Sequence, residues 1–253
     1  MDMCGSKVGT GYFIKFLFSI MFALLFFIEA ANCAAAGSPE ESFKKSFPSI
    51  PVERISETAI KGVYEVIVGN EIAYYAPEPD ILILGQLITK DGKNLTQEKI
   101  SEIIVAKAKN LPLDQAIKVG KGPQRVIEIT DPDCPYCRKA SAFFNGRTDV
   151  TRYIFFYPLP IHKDAEAKAL FVLCAKDQGK AYEEAMTGKL DDMKFKPCKN
   201  ATAEATLQKH KDVATRLGLT GTPFFLIGNQ PIIGANIPLM EKLLAPVKEA
   251  PAK

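Results

Sequence analysis

Residues 125–137 read Arg-Val-Ile-Glu-Ile-Thr-Asp-Pro-Asp-Cys-Pro-Tyr-Cys, an apolar segment that runs into a Cys-x-x-Cys motif. The apolar segment predicts a buried strand from Arg125 to Thr130. The motif predicts a helix that begins at Cys134 and continues to about Phe144. Because only two residues separate Cys134 from Cys137, both sulfurs lie on the first turn of this helix, close enough to form a redox-active disulfide.

The start of the helix gives the two cysteines different chemistry. Free backbone N–H groups and the helix dipole favour a thiolate at Cys134, and the thiolate is the form that attacks disulfides. Cys137, one turn further along, resolves the mixed disulfide. Two alternatives remain: an inert structural disulfide, or half of a zinc site. The zinc site needs two more ligands, for which the mature chain offers only His162, His210 and the other cysteines. We expect redox chemistry that uses no metal and no cofactor.

The N-terminal segment predicts export. Two lysines precede an uninterrupted apolar run of 13 residues, Phe16 to Ile28, and small residues follow at 34–36. This order is typical of a secretory signal peptide, so we expect residues 1–36 to be removed and the mature protein to be periplasmic. One alternative is a membrane anchor, although spanning takes about 20 apolar residues. The other is lipidation at Cys33, where the neighbouring residues fit poorly.

Export places the remaining cysteines in an oxidising compartment. The chain has six cysteines, and four remain after cleavage. Cys174 and Cys198 would close a loop of 25 residues, and the chain-entropy argument gives such a bridge about 3 kcal/mol of stabilisation. We expect a structural disulfide here because the two residues do not form a Cys-x-x-Cys motif. A second shuttling pair is the alternative.

Glu128 is an acidic residue inside the apolar strand. An acid in such a position is costly unless it is neutral, solvated or used. We expect a buried acid that shuttles protons to Cys137, as thioredoxin-like proteins often carry at this place. A glutamate at an exposed sheet edge is the alternative reading.

Thr222 and Pro223 directly precede a predicted strand that begins at Phe224. In thioredoxin-like folds a cis-proline at this place packs beside the redox pair, and the residue before it offers its backbone to an incoming substrate strand. We therefore expect a cis peptide bond before Pro223. An ordinary trans proline at the start of a strand is the alternative, and it has the better base rate.

Composition argues against a nucleic acid or an anionic surface as partner. The net charge is only +3, and the basic residues are scattered along the chain. A hydrophobic content of 47% indicates a globular protein with a real core. Among the other polar residues, we expect His162 to lie on a surface loop and Asp191 and Asp192 to be solvated charges.

The order of the elements predicts two domains. Residues 38–95 predict a short helix and about four strands, an α+β domain whose small antiparallel sheet cannot cover both its faces and its edges and therefore invites a second copy. Thr96 is expected to cap a linker helix that reaches about Lys109, within a linker and hinge at 96–121. Residues 122–253 predict strand, helix, strand, helical insertion, strand, turn, strand and helix, which is the order of an α/β thioredoxin-like domain with an insertion.

Three segments carry a family resemblance. They are Thr130-Asp131 ahead of Cys134-Pro135-Tyr136-Cys137, then Leu173-Cys174-Ala175-Lys176-Asp177 with Met186-Thr187-Gly188-Lys189, and finally Leu217-Gly218-Leu219-Thr220-Gly221-Thr222-Pro223. With these segments the mature chain resembles the DsbC/DsbG family of periplasmic disulfide isomerases, nearer the DsbC branch. The middle segment contains the first cysteine of that branch's structural disulfide, whereas the Pro-Tyr dipeptide of the active site is more similar to the DsbG branch.

The resemblance implies a V-shaped homodimer with residues 38–95 as the dimerisation domain. The cleft between the arms would hold misfolded or misoxidised exported proteins, with Cys134 facing it, and a DsbD-type membrane reductase would keep the dithiol reduced. The implied activity is reduction and isomerisation of incorrect disulfides. Two alternatives are a DsbG-like reductase of sulfenic acids or of apocytochrome thiols, and a periplasmic holdase chaperone that uses no thiol chemistry.

Overall fold

The computed structural model describes residues 37–191, 195, 198 and 200–245 of the chain. The predicted signal peptide, residues 1–36, lies outside the described residues. Within the described part, every helix is too short or too polar to cross a membrane.

Four antiparallel strands form the sheet of the N-terminal region, side by side in the order in which the chain makes them. They are β1 (Arg54–Glu57), β2 (Tyr64–Val68), β3 (Glu71–Ala76) and β4 (Ile81–Ile83), and helix α1 (Pro39–Ser46) precedes them. Successive side chains of a strand point to opposite faces. Val66 therefore packs with Phe43 of α1, while Ile67 packs with Ile72 on the other face.

Both faces of this sheet are covered within the chain. Helix α2 (Leu95–Ala108) lies over the second face, where Ile100 and Ile103 join the cluster around Ile67. Residues 38–95 cover one face from within, and the second face is covered by the linker helix that follows them. The edge of the sheet remains open: Ile81 and Ile83 of β4 are 49% and 44% exposed.

The start of α2 also differs from the prediction. Asn94, and not Thr96, caps the helix, since the Asn94 Oδ1 atom accepts a hydrogen bond of 2.9 Å from the Gln97 N–H. Asparagine is among the preferred N-cap residues. Thr96 lies inside the helix and is buried, and its hydroxyl binds the Leu87 N–H and the Tyr74 hydroxyl. Thr96 thus joins the helix to the sheet.

Five strands form the second sheet, in the spatial order β5-β7-β6-β8-β9. They are β5 (Ile117–Gly120), β6 (Gln124–Thr130), β7 (Val150–Phe156), β8 (Phe224–Ile227) and β9 (Gln230–Ile233). Strands β6 and β7 are parallel, and the other neighbours are antiparallel. Strand β5 falls in the segment that we expected to be linker and hinge. It is a short edge strand, and its partner β7 lies thirty residues further along the chain, so a local pattern does not reveal it.

Helices cover both faces of the second sheet. Helices α3 (Pro135–Phe144) and α7 (Ile237–Leu244) pack on one face, and α2 and α6 (Ala201–Arg216) pack on the other. Helices α4 (Ala165–Cys174), α5 (Gln178–Met186) and α6 form an insertion between β7 and β8. The predicted fold class is confirmed: a small antiparallel α+β region, a connecting helix, and a thioredoxin-like α/β region with a helical insertion. The Cys-x-x-Cys motif lies where central strand β6 passes into α3.

Candidate functional site

The local sequence places Cys134 at the N-cap of α3. The turn after β6 is closed by a 3.2 Å hydrogen bond from the Cys134 N–H to the Asp131 carbonyl. Pro135 is the first helical residue, a position where a missing N–H costs no helical hydrogen bond. Cys134 is 4% exposed and Cys137 is fully buried, and both are free thiols. The two cysteines therefore share the first helical turn, with Cys134 on the outer side.

The two thiols differ strongly in acidity. Hydrogen bonds from the Cys137 side chain and from backbone N–H groups at the helix start lower the pKa of Cys134 to about 5. Burial is the main cause that raises the pKa of Cys137 well above its usual range. At neutral pH the pair therefore contains one thiolate and one thiol, which is what nucleophilic attack followed by resolution requires.

The loop before β8 faces the nucleophile. The peptide bond between Thr222 and Pro223 is cis, and the Cys134 sulfur lies 3.6 Å from the Thr222 carbonyl oxygen. An extended peptide that pairs with the backbone of Thr222 would bring its own sulfur beside Cys134.

Glu128 is fully buried, which excludes the alternative of an exposed sheet edge. Its carboxylate accepts a 2.7 Å hydrogen bond from the Tyr182 hydroxyl and a 3.3 Å hydrogen bond from Arg152. The Arg152 guanidinium also stacks over the ring of Phe144, 4.9 Å from its centre. The structure thus shows Glu128 in contact with Arg152 and Tyr182. Proton transfer to Cys137 stays a prediction.

Cys174 and Cys198 are joined by a disulfide, with their Cα atoms 6.3 Å apart. Both sulfurs are thus occupied and unavailable to a metal. Within the described residues, no group of three or more His, Cys, Asp or Glu side chains is arranged to hold a metal ion. His210, considered above as a zinc ligand, accepts from the Phe156 N–H at 3.1 Å and donates to the Gln115 carbonyl at 2.7 Å. Burial lowers its pKa to about 4.

A buried aspartate that sequence reasoning did not single out holds the turn before Cys134. Asp131 is fully buried and accepts hydrogen bonds from the N–H groups of Asp133 (2.8 Å) and Leu159 (2.7 Å). Its carboxylate also binds His162 Nδ1 at 2.8 Å. His162 lies in the loop between β7 and α4, as expected, but its side chain is only 19% exposed and ties that loop to the active-site turn.

Asp133, Arg138, Lys168 and Asp191 form a second polar group beside the motif, the ionic cluster. Arg138 binds Asp191 through two hydrogen bonds of 2.6 and 2.8 Å. Lys168 binds both Asp133 and Asp191. Hydrogen bonds from Arg138 and Lys168 lower the pKa of Asp191 to about 2. Asp191 is exposed, as expected of a solvated charge, but it is also paired with Arg138 and Lys168. Asp192 lies outside the described residues. The charges flanking the motif, Asp133 and Arg138, are the local signal of this cluster.

Comparison with known proteins gives the same division of the chain. Residues 30–97 match the family described as "Disulfide bond isomerase protein N-terminal domain", and residues 111–236 match the family described as "Thioredoxin-like domain". The probable thiol:disulfide interchange protein DsbC of Bordetella avium is 31% identical over 64% of this chain, which spans 57% of that protein's length. The thiol:disulfide interchange protein DsbC of Escherichia coli K12 is 23% identical over 86% of this chain and 92% of its own length.

A crystal structure of a disulfide interchange protein from Neisseria gonorrhoeae has 30% sequence identity and a TM-score of 0.45, and it covers 52% of this chain and 94% of that one. The two family matches, in this order along the chain, agree with the antiparallel N-terminal sheet and with the dithiol at the start of α3. This chain belongs to the DsbC/DsbG family of thiol:disulfide interchange proteins.

Proposed function

We propose that this thiol–disulfide oxidoreductase reduces and isomerises incorrect disulfides in exported proteins. The observation that carries the proposal is the contrast between the two thiols: the pKa of Cys134 is lowered to about 5, whereas burial raises the pKa of Cys137. A nucleophile that is ionised at neutral pH, beside a partner that keeps its proton, can form a mixed disulfide and hold it long enough for reshuffling.

The reaction begins when the Cys134 thiolate attacks one sulfur of a substrate disulfide. A bond forms between Cys134 and that sulfur, the substrate S–S bond breaks, and the other substrate sulfur leaves as a thiolate that takes a proton from solvent. If another substrate thiolate then attacks the mixed disulfide, Cys134 is regenerated and the substrate is isomerised without net oxidation. If Cys137 loses its proton and attacks Cys134, the substrate is released reduced and the pair becomes oxidised.

The remaining residues have supporting roles in this proposal. Thr222 and Pro223 position the substrate backbone beside Cys134. Glu128 assists removal of the proton from Cys137. The disulfide between Cys174 and Cys198 is structural, and it holds the helical insertion.

The cellular setting also belongs to the proposal. The protein is exported to the periplasm by a cleavable signal peptide and forms a homodimer through residues 38–95, the dimerisation domain. Misfolded or misoxidised exported proteins bind between the two arms. A DsbD-type membrane reductase returns the Cys134–Cys137 disulfide to the dithiol. The match of residues 30–97 to an isomerase N-terminal domain supports this arrangement.

The test is recovery of a scrambled multi-disulfide protein by the pre-reduced enzyme. We expect recovery with the wild-type protein, none with Cys134→Ala, and a trapped mixed disulfide with Cys137→Ala, because the resolving thiol is missing. Recovery by Cys134→Ala at the wild-type rate would identify a holdase chaperone. Reduction of the scrambled protein without native pairing, together with reduction of sulfenic acids or of an apocytochrome disulfide to its thiols, would identify a dedicated reductase.

A further inference from the structure

The ionic cluster includes the residues that flank the motif on both sides. Asp133 directly precedes Cys134, and Arg138 directly follows Cys137. The Arg138 N–H donates to the Cys134 carbonyl at 3.1 Å, and its guanidinium Nε donates to the Pro132 carbonyl at 2.7 Å. The backbone and the guanidinium of Arg138 therefore both contact the turn that carries Cys134.

Two members of the cluster come from the helical insertion and reach back to this turn. Lys168 belongs to α4 and its side chain is only 4% exposed. Asp191 follows α5, on the chain that leads to Cys198 of the structural disulfide. Its carboxylate receives the two hydrogen bonds from Arg138 and one from Lys168. The contacts of Asp191 thus join the insertion to the turn that holds the nucleophile.

The charges of the cluster balance. Arg138 and Lys168 are cations, and Asp133 and Asp191 are anions, so the group as a whole is neutral. Two other acids near this turn have partners outside the cluster: Glu128 is paired with Arg152, and Asp131 contacts His162 Nδ1 and two backbone N–H groups. Loss of the Asp191 charge would leave one cation unbalanced beside Cys134, and a nearby cation favours a thiolate.

We propose that Asp191 is a positioning residue of the dithiol site, whose carboxylate holds and neutralises Arg138 and Lys168 and thereby limits how strongly oxidising the Cys134–Cys137 pair is. The inference rests on the proposed function only in requiring a redox-active pair. A stabilised Cys134 thiolate favours the reduced state, because the disulfide has no corresponding charge. This stabilisation is present above the pKa of Cys134 and is lost as the pH falls through it, at about 5.

The test measures the equilibrium of the full chain with glutathione in Asp191→Asn. We expect the equilibrium constant near neutral pH to shift toward the reduced pair by about three- to tenfold, since the Asp191 side chain is partly exposed and solvent screens the charge. The shift should shrink toward zero as the pH falls below about 5. Asp191→Glu should restore the wild-type constant. Glu166→Gln serves as the control, because it removes a carboxylate from the exposed ion pair with Lys211 in the same insertion.

Lys168→Met provides the opposite change of charge. It leaves an excess anion, so we expect the equilibrium to shift toward the disulfide. Shifts of the same sign in Asp191→Asn and Lys168→Met, or a shift that is equal at all pH values, would identify loosened packing and overturn the proposal. The proposal would also be overturned if Asp191→Asn shifted the equilibrium by no more than Glu166→Gln does. Failure of the proposed function would instead appear in the wild-type protein. Its cysteine pair would equilibrate with glutathione, but the protein would recover no scrambled substrate.

Discussion

Glu128 and Arg152 form an ion pair in the core of the thioredoxin-like region, with 3.3 Å between Oε2 and Nη1 and side-chain exposures of 0% and 4%. The two residues lie on adjacent parallel strands, β6 and β7. Arg152 stays protonated in proteins, and its guanidinium also stacks over Phe144 and Tyr182. The acid that the sequence marks as a proton carrier is therefore also half of a buried charge pair.

This pairing predicts that removing one partner lowers the free energy of unfolding far more than removing both charges. Replacing Arg152 by Met leaves the Glu128 carboxylate buried without its cation, and we expect the free energy of unfolding to fall by about 3–5 kcal/mol. The double variant Glu128→Gln with Arg152→Met should recover much of that loss, because it leaves no unpaired charge. Urea unfolding of both variants measures the difference. Equal losses in the single and double variants would show that packing of the Arg152 side chain, and not its charge, matters.

Replacing Glu128 alone by Gln tests its catalytic role. The amide oxygen can still accept the hydrogen bond from Tyr182, and the Arg152 guanidinium keeps its stacking contacts with Phe144 and Tyr182. We therefore expect the fold to persist while the steps that deprotonate Cys137 slow by at least about tenfold. Release of a preformed mixed disulfide, followed against pH, measures those steps. An unchanged rate and pH profile would make Glu128 a structural residue only.

The acidity of Cys134 is directly measurable. Ultraviolet thiolate absorbance of the reduced protein should show an inflection near pH 5, since hydrogen bonds from Cys137 and the helix start lower the pKa of Cys134 to about that value. Cys137→Ala removes the largest of these contributions, so its inflection should move upward, whereas Cys137→Ser keeps a donor and should move less. An inflection at or above the ~8.5 of free cysteine would contradict the assignment of Cys134 as nucleophile.

The disulfide between Cys174 and Cys198 should behave as a structural bridge. It should survive mild dithiothreitol that reduces the Cys134–Cys137 pair, as mass mapping of alkylated peptides would show. Replacing both Cys174 and Cys198 by Ala should lower the free energy of unfolding by about 3 kcal/mol, because the unfolded chain regains the freedom of a 25-residue loop. If the bridge opens together with the active-site pair, it takes part in electron transfer.

The sequence predicts those features that local signals specify. The Cys-x-x-Cys motif after an apolar strand, and Thr222-Pro223 before another strand, identify both sides of the site. Contacts between distant segments escape such reasoning. Asp191 lies 53 residues from Arg138, and Asp131 lies 31 residues from His162. Nothing in a run of two aspartates indicates that the first of them binds an arginine and a lysine of other helices.

The ends of helices and the presence of short edge strands also depend on contacts between distant segments. Thr96 and Asn94 are both good N-cap residues, and only the packing of Thr96 against Tyr74 and Leu87 decides between them. Strand β5 exists because β7 offers it a partner. The sequence therefore predicts the type of an element more reliably than its first residue.

The last prediction concerns the dimer, because isomerisation of large substrates depends on it. The N-terminal sheet is covered on one face by α1 and on the other by α2, so pairing must use its edge. Of the two edge strands, β1 and β4, it is β4 that exposes large apolar side chains: Ile81 and Ile83 are half exposed, and Leu84 directly after it is 80% exposed. An exposed apolar edge strand favours association with a second strand, and lysine on such an edge opposes it. We therefore expect the mature protein to be a dimer that uses this edge.

The double variant Ile81→Lys with Ile83→Lys, in the full mature chain, should be a folded monomer by light scattering. It should keep the Cys134 titration and the reduction of small disulfides but reshuffle scrambled proteins poorly, because two facing sites are no longer held together. Ile60→Lys is the matched control, since Ile60 is 48% exposed but lies in the connection between β1 and β2. A truncation near Gly120 would be a less clean test, because it removes β5 from the catalytic sheet. A monomeric wild-type protein, or a monomeric variant with undiminished isomerase activity, would overturn the two-armed arrangement.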